Sequence, residues 1–253
     1  MGQPMPYPVL IVTGTRTGGT FLSHCLDSHP DVLCVRPEVL DGRCVTNELT
    51  KALGPKDKLR LYLELQGWTV SVAKVIYGQV RGEEQVFRWL KRSGGKAIHL
   101  TRPNVIRAVV SILARKAVHR GELKGKMPAH TTRPLEPFKV HIPPESLING
   151  AHTRKKLEEM FARLLEGHGI ETLNVTYDEI VGGENISAEG VREDTANKLC
   201  HFLEVEPLPL VSRLRKGIRW PLRKIVENWE EVKAAVEQSE FAYCLKDEEL
   251  WEP

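Results

Sequence analysis

Long apolar runs are missing from this sequence. Near its start the longest, Val9-Leu10-Ile11-Val12, has only the length of a buried strand, whereas a bilayer-crossing helix needs about 20 apolar residues. Residues 1–8 carry neither the basic region nor the apolar stretch of a secretory leader, so a cytoplasmic protein without stable membrane insertion is expected. The five cysteines, Cys25, Cys34, Cys44, Cys200 and Cys244, contain no CxxC pair. That excludes the common zinc spacings and suits reduced, mostly buried thiols. An excess of one charge is lacking too. Lys and Arg total 36 against 33 Asp and Glu, a net charge of +3, so anion binding must come from local clustering. Aromatic residues make up 6% of the chain and are not interleaved with its basic cluster, which argues against a nucleic-acid surface.

What is present is an alternation of β-branched runs with apolar-periodic stretches. Strands are expected at 9–12, 32–35, 69–76, 96–100 and 171–176. Helices are expected at 56–65, 83–91, 145–167 and 194–202, and as one amphipathic tail over 221–238. Ile106, Val109, Val110, Leu113, Ala114 and Ala117 recur at the spacing of a core-facing helix. Residues 121–144, rich in Pro, Gly, His and Lys, suggest a long functional loop or lid. No internal repeat interrupts the pattern. It predicts one α/β domain over residues 1–253, a three-layer sandwich with a mainly parallel sheet.

The first strand runs into Gly14-Thr15-Arg16-Thr17-Gly18-Gly19-Thr20. A Gly-rich turn between a buried strand and a helix offers backbone N–H groups and the positive helix end to an anion. An ATP-binding Walker A loop requires Gly-x4-Gly-Lys-Ser/Thr. Counting from Gly14 reaches Gly19, but Thr20 stands where the lysine belongs. The run Lys96-Ala97-Ile98-His99-Leu100 then leads into Thr101-Arg102, with no carboxylate of the kind that binds Mg2+ in ATPases. The anion should therefore be met directly by cations and backbone donors, with no metal required.

Arg102 precedes Pro103, which biases it toward extended backbone and leaves Pro103 suited to the first turn of the next helix. On that helix Arg107, Ser111 and Arg115 fall four residues apart, on a face offset from the apolar stripe. Such a group can clamp a second phosphate, though a solvated basic face would look the same. Two anion sites on strand–helix units suit a ligand with two separated phosphate-like groups.

With these motifs in order, the sequence resembles the sulfotransferases that use 3′-phosphoadenosine 5′-phosphosulfate (PAPS). Thr13 to Leu22, followed by Leu26-Asp27-Ser28-His29-Pro30, is similar to that family's 5′-phosphosulfate loop. Ile98 to Arg102, continued through Ser111, is similar to its 3′-phosphate motif, and the Arg-to-Ser spacing resembles the bacterial carbohydrate branch that includes trehalose sulfotransferase. Segments 175–180, 202–205 and 225–232 are also similar, while Gly19 replaces a more usual Thr or Ser.

The resemblance implies a P-loop-like fold and transfer of a sulfuryl group from PAPS to a hydroxyl, less readily an amine, of a carbohydrate or other small-molecule or lipid acceptor. It implies that Arg16, Thr17, Gly18, Gly19, Thr20 and Phe21 hold the 5′ end of the donor, with Arg16 stabilising the leaving oxygen. Arg102 and Ser111 would hold the 3′-phosphate. Glu38 occupies the position of a general base, with His24 and His29 as lesser candidates. Lys74 would reach the site from the third strand. Within the basic segment Arg213 to Lys224, part of a C-terminal region over about 211–245, Lys216 would close over the nucleotide. Two other classes remain open: a P-loop kinase acting on a small molecule, and a noncatalytic module that binds nucleotide or sulfated ligand.

Overall fold

A computed structural model describes residues 7–34, 70–78, 83–121, 138–181, 190–214 and 220–246. The expected helix at 56–65, Cys44 and most of the expected lid lie outside these residues, as do Glu38 and Lys216.

Five parallel strands form one sheet in the order β2-β3-β1-β4-β5. They are β1 (Tyr7–Thr13), β2 (Val32–Cys34), β3 (Val70–Ile76), β4 (Lys96–Thr101) and β5 (Thr172–Thr176). β1 is central, with Ile11 opposite Lys74 on β3 and Ile98 on β4. Its run Val9 to Val12 is wholly buried, because side chains alternate between two faces that are both covered. Val9 and Ile11 pack with Leu22, Cys25 and Leu26 of α1 (Gly19–Leu26). Leu10 and Val12 face the other way, onto Phe87 and Leu90 of α2 (Glu83–Arg92) and Phe161 and Leu165 of α4 (Pro144–Gly167). The result is a three-layer α/β sandwich.

The helix after β4, α3 (Val105–His119), starts two residues later than Pro103 at its first position would suggest. Asn104 is its cap, accepting from the Arg107 N–H at 3.0 Å, so Pro103 stands before the helix and not in its first turn. α3 and the first half of α4 build a second apolar cluster, completed by α7 (Leu222–Ile225), α8 (Trp229–Glu237) and the short turn Ala242–Leu245. On the first face β5 continues into α5 (Tyr177–Val181), which packs near α6 (Glu193–Phe202).

The amphipathic tail expected over 221–238 is two helices and not one. Val226 is extended and bridges Val140, with the Val140 N–H donating to Ile225 O at 2.8 Å and the Glu227 N–H to Val140 O at 2.9 Å. Asn228 then holds both backbone groups of Ile142 at 3.0 Å. The returning segment claims backbone groups that a continuous helix would have used internally. Cys25, Cys34, Cys200 and Cys244 are buried and unbridged.

Candidate functional site

The loop from Gly14 to Gly18 joins the carboxyl end of central β1 to the N-terminus of α1, whose first residue is Gly19. Strand carboxyl ends are where open α/β sheets bind ligands. Arg16 (φ 64°) and Gly18 (φ 89°) are left-handed on either side of Thr17. Alternating handedness of this kind gathers successive N–H groups into an anion-binding concavity. A left-handed arginine is uncommon and needs support from its surroundings.

The lysine absent from the loop arrives from the neighbouring strand. Lys74, buried on β3, donates from Nζ to Thr20 Oγ1 at 2.6 Å. Its stem crosses Gly19, where an added Cβ would lie 3.0 Å from Lys74 Cδ and 2.8 Å from Thr13 Cγ2. The small residue at 19 and the lysine at 74 therefore fit one another. Thr17 is also buried, and its hydroxyl donates to Gly14 O at 2.6 Å. That hydroxyl serves the loop itself. Phe21, half-buried, packs against the apolar cluster on the α1 face.

The second strand–helix unit closes against this loop. Arg16 Nε donates to Ser111 Oγ at 2.8 Å, and Arg102 Nη1 donates to Arg16 O at 3.1 Å. The Arg102 guanidinium lies 4.3 Å from the centre of the Tyr177 ring, a cation–π contact from the start of α5. Arg107 and Ser111 are buried, so this face of α3 is not a solvated one. Arg107 Nη2 donates at 3.1 Å to the carbonyl oxygen of Trp220, a residue within the basic segment Arg213 to Lys224. Burial, followed by repulsion from Arg115 and Arg102, holds the Arg16 guanidinium below its ordinary pKa. Cations crowded in this way favour an anion among them.

Sequence reasoning missed two members of the site. Tyr177 lies within a segment noted for its resemblance, but no role attached to it. Arg154 was overlooked altogether, although it left a signal. It falls in line with Leu147, Ala151, Phe161 and Leu165, the buried stripe of α4, where an apolar residue is the norm. Its Nη1 donates to Thr15 O at 2.6 Å and its Nη2 donates to the Thr17 hydroxyl. Behind it, Tyr77 and His99 share a hydrogen bond of 2.6 Å between Oη and Nε2.

Of the lesser base candidates, His29 is buried in the turn after α1. Its Nδ1 accepts from the Asp31 N–H at 3.1 Å, and Nε2 meets Glu206 O at 2.8 Å. His24 is half-buried on α1. Among the described residues, no group of three His, Cys, Asp or Glu could hold a metal ion, and no helix is long and apolar enough to cross a membrane.

No protein-family profile and no curated protein matches the sequence. Among solved structures, the sulfotransferase domain from the curacin biosynthetic pathway is similar with a TM-score of 0.51 at 15% identity, over 98% of this chain and 99% of that one. A sulfotransferase from Alicyclobacillus acidocaldarius gives 0.47 at 16% identity, over 98% and 95% of the two chains. Mouse sulfotransferase SULT7A1 complexed with PAP gives 0.49 at 12% identity, over 95% and 88%. At these identities a likeness speaks for fold alone, and only the first score is high enough to weigh. The chain thus has the three-layer, parallel-sheet α/β fold of the curacin sulfotransferase domain.

Proposed function

We propose that this chain is a sulfotransferase that takes a sulfuryl group from PAPS and delivers it to an acceptor hydroxyl. The observation that carries the proposal is the meeting of two cationic strand–helix units, Arg16 on Ser111 and Arg102 on the backbone of Arg16. A donor with phosphate groups at both its 3′ and 5′ positions matches such a paired site. The fold shared with the curacin sulfotransferase domain supports the same reading.

In this proposal the backbone from Arg16 to Thr20 holds the 5′-phosphate and the transferring group, helped by Lys74 beside Thr20. Arg102 and Ser111 hold the 3′-phosphate, and Lys216 closes over the nucleotide. PAPS supplies the sulfuryl group. Sulfur's bond to the bridging oxygen breaks as its bond to the acceptor oxygen forms. Arg16 stabilises the negative charge left on the bridging oxygen, and the acceptor proton passes to Glu38. The resemblance of the Arg102-to-Ser111 spacing to the bacterial carbohydrate branch is what points to a carbohydrate-type acceptor. Residues 1–253 form one domain, with a lid over about 121–144.

One observation favours the kinase alternative: Lys74 brings an ammonium group to the loop position that a Walker lysine would serve. Against it, β4 ends at Thr101 and is followed by Arg102, a guanidinium where a magnesium site needs a carboxylate. Thermal shifts with PAP in the absence of Mg2+, and with Mg2+–ATP, decide between them. PAP, the desulfated donor product, should raise Tm, by the equivalent of about 2.7 kcal/mol at a hundredfold excess over Kd. Stabilisation by Mg2+–ATP and none by PAP would overturn the assignment.

A further inference from the structure

We propose that Arg154 is a positioning residue for anion binding at the β1–α1 loop, holding the loop from behind so that its N–H groups face the ligand. This role rests on the loop being an anion site, as read above. Arg154 lies between the apolar clusters at the two ends of α4 and is only 7% exposed. It bonds the Thr15 carbonyl and the Thr17 hydroxyl, and that hydroxyl in turn bonds the Gly14 carbonyl.

Peptide geometry gives these bonds a consequence on the far side of the loop. In a trans peptide the N–H points opposite to the C=O. Fixing Thr15 O toward Arg154 therefore aims the Arg16 N–H away from it, and fixing Gly14 O does the same for the Thr15 N–H. The bond at Thr15 O also braces the peptide leading into Arg16, the left-handed residue of the loop.

The sequence makes room for this brace. A Cβ at Gly14 would lie 2.8 Å from Arg154 Nη2 and 2.9 Å from Cζ, so even alanine would collide with the guanidinium. Stability alone does not account for the arginine. Its buried Nε has no hydrogen-bond partner among the described residues, and an unsatisfied buried donor is a cost that a methionine of similar length would avoid. Glu158, one turn further along, attracts Arg154, while burial pushes its own carboxyl above the usual range. A buried cation so placed gains when an anion occupies the front of the loop.

Titration with inorganic pyrophosphate and with PAP, by calorimetry, tests this on the full chain. Arg154→Met should keep Tm and far-UV circular dichroism near wild type while losing affinity for both anions by about tenfold or more. Arg154→Lys should restore part of that loss. Gly14→Ala, which displaces the guanidinium without removing its charge, should also bind more weakly. In 15N–1H spectra the Arg16 amide should shift on adding pyrophosphate to wild type, and less in Arg154→Met. Wild-type affinity in Arg154→Met overturns the proposal. If that variant does not fold, wild-type affinity in both Arg154→Lys and Gly14→Ala overturns it instead. If pyrophosphate binds wild type but PAP does not, only the nucleotide assignment fails, and the variants still decide the role of Arg154. Should neither bind, the loop is no anion site and the proposal falls with it.

Discussion

Around the β1–α1 loop, the cations are held by hydroxyls, backbone oxygens and an aromatic ring. Lys74 donates to a hydroxyl, Arg16 to a serine, Arg154 to loop oxygens, and Arg102 lies over an aromatic ring. The last arrangement depends on the planar guanidinium as much as on its charge. Arg102→Lys should therefore keep the positive charge yet lose most of the Tm rise that PAP produces in wild type. The expected loss of affinity is about tenfold or more, on the scale of charge-assisted bonds to phosphate. A full wild-type shift in that variant would show that the Tyr177 stacking and the bond to Arg16 O contribute nothing to binding.

At the scale of elements, α5 matters more than its five residues suggest, because it sets Tyr177 beneath Arg102. It begins with a reciprocal cap. The Thr176 N–H donates to Glu179 Oε2 at 2.6 Å, and the Glu179 N–H donates to Thr176 Oγ1 at 3.2 Å. Burial raises the Glu179 carboxyl, but hydrogen bonds from Thr176 and Lys198 outweigh it and hold the pKa below its ordinary 4.5. The unfolded chain then binds the proton more readily than the folded one. Stability from this carboxylate is present above pH 4.5 and is lost as pH falls through the depressed folded value. Glu179→Gln should lower stability at neutral pH by about 0.5–1 kcal/mol, as for a half-exposed cap. The gap to wild type should close in acid; urea melts at two pH values check it, and a gap independent of pH would refute it.

Across the whole molecule, α4 joins the two cores that flank the loop. Phe161 is fully buried on it, stacked on Tyr77 at 4.9 Å and edge-on to Phe87 at 6.0 Å. Phe161→Ala should cost about 3–5 kcal/mol of stability by denaturant melts, and a cost below about 1 kcal/mol would mean that the cluster repacks around the gap. Much of the architecture was legible beforehand. Val9 to Val12 and Lys96 to Leu100 read as strands and Gly14 to Thr20 as a turn onto a helix, because those patterns are local. The tail was misread at Val226, where the demand for an extended backbone comes from Val140, 86 residues away in the chain. Sequence by itself determined the alternation of strands and helices, the glycines of the loop and the absence of a lysine at position 20. Only the tertiary structure decided that Lys74 supplies an ammonium there, that Arg16 meets Ser111, and that Arg154 stands behind the loop. Those contacts depend on strand register and on which side of a helix faces the sheet, and chain separation encodes neither.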